Sequence, residues 1–72
     1  MKNLEAVQKM KERLQLLDET QLEKVTNHYE EILRIATEMF NSNLFVETST
    51  REITDANEML ALLYQENSNR GN

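Results

Sequence analysis

His28 is the residue in this chain with the clearest capacity for chemistry, because it lies beside Tyr29 and two glutamates. An imidazole near carboxylates can shuttle a proton, accept a phosphoryl group or bind a metal. A metal site on a helix usually needs a carboxylate three residues before the histidine, and that position is Val25. The chain has one histidine and no cysteine, so no further imidazole or thiolate is available. We therefore expect no metal and no cofactor, and an ordinary place for His28 at the edge of an apolar helix face.

The neighbouring carboxylates, Glu30 and Glu31, also fail to make a catalytic pair. Adjacent residues on a helix point about 100° apart, and neither glutamate falls on the apolar stripe where burial would raise its pKa. A nucleophilic site would need a hydroxyl activated by His28, and no serine or threonine is marked out by its surroundings. The only glycine is Gly71, which excludes a glycine-rich phosphate loop. The sequence thus predicts no catalytic residues, and we expect the protein not to be an enzyme.

The length and composition indicate one small domain. A chain of 72 residues has room for a single core, and without cysteine it has no disulfide to stabilise it. Charges are interspersed through the first seventeen residues, so we expect no signal peptide, and no segment has the length and apolarity of a membrane span. We expect a cytoplasmic protein without membrane association, in the host cytoplasm if the chain is viral.

The net charge of −5 disfavours nucleic-acid binding through a broad basic surface. The charge is uneven, since residues 1–17 carry four bases and two acids whereas residues 18–72 carry four bases and eleven acids. The simplest interpretation is a basic first helix lying along an acidic second one. Two alternatives stay open: weak nucleic-acid binding through Lys9, Lys11 and Arg13, and an acidic mimic of nucleic acid that blocks a DNA- or RNA-binding protein.

Apolar residues three or four apart predict a first helix over about residues 3–17, with Leu4, Val7, Met10, Leu14 and Leu17 on its inner face. Asp18 and Gln21 then form the pattern of a capping box that begins a second helix. Because the break is short, we expect helices one and two to form an antiparallel hairpin. One continuous helix through residue 40 is the alternative.

The second helix, about residues 19–41, has the heptad spacing typical of coiled coils, with the following apolar positions: Leu22, Val25, Tyr29, Ile32, Ala36 and Met39. Residues 41–43 are expected to end it, and Leu44 to Val46 to pack back onto the hairpin. Ser49 and Glu52 form a second capping-box pattern, which predicts a third helix over about residues 50–65. Residues 67–72 are polar and are expected to form a flexible tail after a helical domain of residues 1–66.

The predicted fold is therefore all-α: an antiparallel helical hairpin plus a third helix, a small three-helix bundle completed by self-association. Nine apolar residues exceed or flank what a minimal core needs and are the predicted interface with a partner or a second copy: Leu22, Tyr29, Leu33, Ile35, Phe40, Phe45, Met59, Leu62 and Tyr64. The competing interpretation is that they complete the core of a monomer. The hypothesis for function is a non-enzymatic protein–protein interaction module and homo-oligomer that acts as a regulator, inhibitor or adaptor. Phages and plasmids carry many small acidic proteins of this kind.

Overall fold

The computed structural model describes residues 4–71, which form three α-helices: α1 (Leu4–Gln15), α2 (Glu19–Asn41) and α3 (Val46–Asn69). The predicted all-α class, a hairpin plus a third helix, is confirmed.

The break between α1 and α2 is caused by the predicted capping box. The Asp18 carboxylate accepts a hydrogen bond from the backbone N–H of Gln21 at 2.7 Å, and the Gln21 side-chain oxygen accepts from the Asp18 N–H at 3.1 Å. These two bonds satisfy donors that the start of a helix leaves without partners. A continuous helix through residue 40 is therefore wrong.

The hairpin is formed by α2 and α3, not by α1 and α2 as predicted. The two long helices have 23 and 24 residues and match in length, so pairing them buries more surface than pairing either with the 12-residue α1. Within residues 4–71, α1 packs against α3 and hardly touches α2. Val7 lies near Asp55, and Leu14 near Glu66, so α1 runs parallel to α3.

Helix α3 is longer at both ends than the sequence predicts. It begins at Val46, which places Ser49 inside the helix rather than at its cap. The Ser49 side chain is buried, and its hydroxyl donates to the carbonyl of Leu44 at 3.3 Å. At the other end the helix continues to Asn69, through the segment that was expected to be a flexible tail.

The core is small and lies where all three helices meet. Its buried cluster consists of Leu14, Leu22, Leu60 and Leu63. Farther along the hairpin the buried apolar positions are the small residues Ala36 and Ala56, which let the two helix backbones approach closely. Leu4, predicted on the inner face of the first helix, is instead 84% exposed, because it lies at the first residue of α1.

Arg70 attaches the end of α1 to the end of α3. Its guanidinium donates to the carbonyls of Leu14 at 3.0 Å and Leu17 at 2.6 Å, and it also pairs with the Glu66 carboxylate at 2.8 Å. Both side chains of this ion pair are largely buried. The Leu14 carbonyl also accepts from the Leu17 N–H at 3.2 Å, so Arg70 adds a second donor there and supplies a donor to the Leu17 carbonyl, just beyond the end of α1.

The three helices form an open arrangement rather than a closed bundle. The chain has a radius of gyration of 13.5 Å, whereas a compact domain of this length has roughly 11 Å. It exposes 5596 Å² of surface, compared with roughly 4,700 Å² for a compact monomer of this mass. The difference, roughly 900 Å², is surface that the fold of one chain leaves uncovered.

Candidate interaction surface

The connection between α2 and α3 reverses the chain in four residues, 42–45. Helix α2 ends in a Schellman motif, in which the Leu44 N–H donates to the Met39 carbonyl at 2.9 Å and the Asn43 N–H to the Phe40 carbonyl at 3.0 Å. Asn43 has a φ of 59°, in the left-handed region that asparagine tolerates better than most residues. The predicted helix end at residues 41–43 thus has a local cause.

Phe45 has a left-handed backbone too, with φ 46° and ψ 49°. This conformation costs a residue with a β-carbon about 1–2 kcal/mol, and a bulky aromatic residue is rarely found in it. Phe45 occupies the N-cap position of α3 and makes no side-chain capping hydrogen bond to the residues that the structure describes. Neither capping nor backbone preference therefore explains a phenylalanine here.

The side chains around this connection point into solvent. Six large apolar residues at this end of the hairpin form what we call the loop-end patch: Ile35, Met39, Phe40, Leu44, Phe45 and Val46. Their exposed fractions range from 36% at Met39 to 72% at Phe45. Taking roughly 200 Å² for each fully exposed side chain, the patch offers roughly 550 Å² of apolar surface. Soluble monomers rarely expose contiguous apolar patches larger than a few hundred Å².

Helix α1 leaves this patch uncovered because it is short and placed toward the other end of the hairpin. Its first turns lie beside Asp55 and Glu58 of α3, and its last turn lies near Arg70. The first turns of α3 and the last turns of α2 therefore extend beyond α1. Exposure of the loop-end patch follows from the relative lengths of the three helices.

Five of the six residues of the loop-end patch, all except Ile35, lie in an uncharged stretch of the chain. Residues 39–46 are the longest run in the sequence without an acidic or basic residue. On α2 just before it, Arg34 donates to both Glu31 and Glu38, on the exposed side of the helix. The hydrogen bond to Arg34 lowers the pKa of the Glu31 carboxyl, and the same bond raises the pKa of Arg34.

The nine residues of the predicted interface do not lie on one surface. Leu22 is buried in the core, and four others are packed partly buried around it: Tyr29, Leu33, Met59 and Leu62. Ile35, Phe40 and Phe45 belong to the loop-end patch. Tyr64 is exposed near the opposite end of the hairpin, where its hydroxyl donates to Glu30 at 2.6 Å.

Sequence reasoning missed three members of the loop-end patch. The heptad spacing places Met39 on the apolar stripe of the second helix, and the sequence predicts that Leu44 and Val46 pack back onto the hairpin. Met39 is exposed because it lies near the end of α2, where no neighbouring helix covers it. A signal was available: three consecutive apolar residues, 44–46, directly follow a helix end and have no facing element in a hairpin.

The residues with a capacity for chemistry are not assembled into a site. His28 is exposed on α2, and its ring meets the edge of the Tyr29 ring at a centroid distance of 5.5 Å. Within residues 4–71 there is no group of three His, Cys, Asp or Glu side chains placed to hold a metal ion. A polar groove of about 400 Å³ runs between the start of α2 and the end of α3. There Glu30 accepts from Tyr64, which raises the pKa of the Tyr64 phenol.

A second groove, of about 430 Å³, lies between α1 and α3. Its walls are mainly apolar, with Val7 and Met10 on one side and Met59 and Leu62 on the other. The acidic residues Asp55 and Glu58 of α3 also line this groove.

Comparison of the chain with protein-family models, with curated proteins and with solved structures finds no match to any of them. None of the helices in residues 4–71 combines the length and the apolar character that crossing a membrane requires.

Proposed function

We propose that this protein is a non-enzymatic protein–protein interaction module of the cytoplasm, which acts as a regulator, inhibitor or adaptor. The loop-end patch carries the proposal, since six large apolar side chains are exposed around one chain reversal. Transferring such side chains out of water is the main favourable term in most protein association. The aromatic rings of Phe40 and Phe45 give the patch the kind of residue that dominates binding energy at interfaces.

The backbone at Phe45 supports the same proposal. A residue held in a costly conformation with its ring in solvent contributes little to folding of the single chain. Glycine or asparagine would fit the left-handed conformation at lower cost. A phenylalanine at this position is explained if its ring contacts another protein.

An affinity-capture comparison tests the proposal. The tagged protein, its Phe45→Ala variant and its Leu16→Ala variant are each incubated with an extract of the source cells, and the retained proteins are quantified. Leu16 is a matched control because it is 85% exposed but directly follows α1, away from the loop-end patch. We expect proteins retained by the wild type and by Leu16→Ala to be lost with Phe45→Ala. Equal retention by all three would contradict the proposal.

A further inference from the structure

We propose that the occupant of the loop-end patch is a second copy of this chain, so that the protein is a symmetric dimer joined at the closed ends of its hairpins. This inference rests on the proposed function and names its partner. Closed two-fold symmetry is the commonest arrangement of homo-oligomers, and it brings the same patch of both copies together.

The areas agree with a dimer. Two loop-end patches, at roughly 550 Å² each, would bury roughly 1,100 Å² in total, which reaches the roughly 1,000 Å² that a specific interface needs. The uncovered surface points the same way. The whole chain exceeds a compact monomer by roughly 900 Å², and one loop-end patch contributes roughly 550 Å² of exposed apolar surface.

The charge distribution favours this end of the molecule for contact between identical copies. Each copy has a net charge of −5, so two copies repel each other wherever their acidic surfaces meet. Residues 39–46 carry no charge, and nearby Glu38 is paired with Arg34 within its own chain. Contact through this segment therefore brings together the least charged parts of the two copies. We expect added salt to strengthen the dimer, because salt screens the remaining repulsion.

The unusual backbone of Phe45 provides a pair of variants that separate association from folding. Phe45→Ala removes the ring and keeps the left-handed strain, whereas Phe45→Gly removes the ring and relieves the strain. Both should abolish the dimer, while the glycine variant should melt about 4–8 °C above the alanine variant. If Phe45→Gly is more stable than Phe45→Ala and still does not associate, the loss of association cannot be attributed to unfolding.

Sedimentation equilibrium over a hundredfold concentration range, with circular dichroism to verify folding, tests the inference. We expect the wild type and Leu16→Ala to approach twice 8.5 kDa. Both Phe45 variants should remain at 8.5 kDa, because losing two central rings per dimer weakens association about 100- to 1,000-fold. A dimer that persists in both Phe45 variants would place the interface elsewhere and overturn the inference.

A wild type that remains a monomer at all concentrations would also overturn it, and the capture comparison then separates the two proposals. If a different protein is retained by the wild type and lost with Phe45→Ala, the loop-end patch binds that protein and only the second copy is excluded. If capture shows no difference either, both proposals fail.

Discussion

Replacing Arg70 with alanine should destabilise the protein far more than its position just after the last residue of α3 would indicate. The guanidinium donates to the carbonyl of Leu14 in the last turn of α1 and to that of Leu17 just beyond it, and it pairs with Glu66. The Arg70 side chain is 19% exposed and that of Glu66 12%. Hydrogen bonds that involve a charged group contribute about 1.5–3 kcal/mol net, and leaving a buried partner without its bond adds to the loss. We expect a total cost of about 2–4 kcal/mol.

Arg34→Ala is the matched control for this substitution. Arg34 also bonds two acceptors, Glu31 and Glu38, but its side chain is 55% exposed and all three groups lie on one face of α2. Exposed pairs of this kind contribute about 0–1 kcal/mol, because water and salt screen them and long side chains must be ordered. The two substitutions are expected to differ in their cost to the free energy of unfolding because Arg70 is more buried than Arg34, not because the two arginines form different numbers of bonds.

Urea unfolding of the wild type, Arg70→Ala and Arg34→Ala measures both costs, and amide hydrogen exchange locates them. In Arg70→Ala we expect the amides of α1 to lose protection from exchange first, because α1 is held mainly by its packing against α3 and by the hydrogen bonds of Arg70. Arg70→Lys keeps the charge but lacks the planar fork, so it should fall between wild type and alanine. Equal costs for Arg70→Ala and Arg34→Ala, or unchanged exchange in α1, would refute the reasoning.

Three further predictions concern local features. Asp18→Ala should cost about 1 kcal/mol in urea unfolding because it removes the capping box of α2, and Asp18→Asn, which can still accept, should restore most of it. Ser49→Ala should cost about 0.5–1.5 kcal/mol in urea unfolding, because the buried Ser49 hydroxyl donates to the Leu44 carbonyl; unchanged stability would show that this bond contributes nothing. The hydrogen bond to Glu30 raises the pKa of Tyr64, so its contribution to stability is fully present below about pH 10 and is lost as the pH rises through the raised pKa. In a Tyr29→Phe background, Glu30→Ala should shift the phenolate absorbance of Tyr64 to lower pH; an unshifted titration would show that the bond is not formed.

Helix α2 could be predicted from the sequence because its determinants are local. Asp18 and Gln21 define its start by bonds within one turn, and Asn43 accepts the left-handed conformation that its end requires. The start of α3 could not be predicted in the same way. Its N-cap, Phe45, has no capping side chain, whereas Ser49 and Glu52 form a good capping pattern that the structure does not use.

The pairing of the helices and the role of the last residues are non-local. Which two helices form the hairpin depends on how much surface each pair can bury. Helix α2 pairs with α3 because α3 is longer than α1 and buries more of its surface. The segment after Tyr64 is polar and resembles a frayed tail. Its order depends on Arg70 reaching the carbonyl of Leu14, 56 residues earlier, which no local pattern indicates.

The candidate surface could be predicted in part. The sequence indicates that Phe40 and Phe45 exceed a minimal core, but it indicates the same for Leu22 and Met59, which pack in or around the core. Spacing along a helix shows which residues share a face and does not show where the neighbouring helix ends. Exposure of the loop-end patch depends on that end point.

Site-specific photo-crosslinking at residue 45 tests most directly whether the loop-end patch is the binding surface. Phe45 is replaced with benzoylphenylalanine, which keeps an aromatic ring at the position, and Leu16 is replaced likewise in a control protein. We predict crosslinked products from position 45 and few or none from position 16, with a product of twice 8.5 kDa when the purified protein is irradiated. Absence of products from position 45, with purified protein and in cell extract alike, or the same products from both positions, would contradict the account.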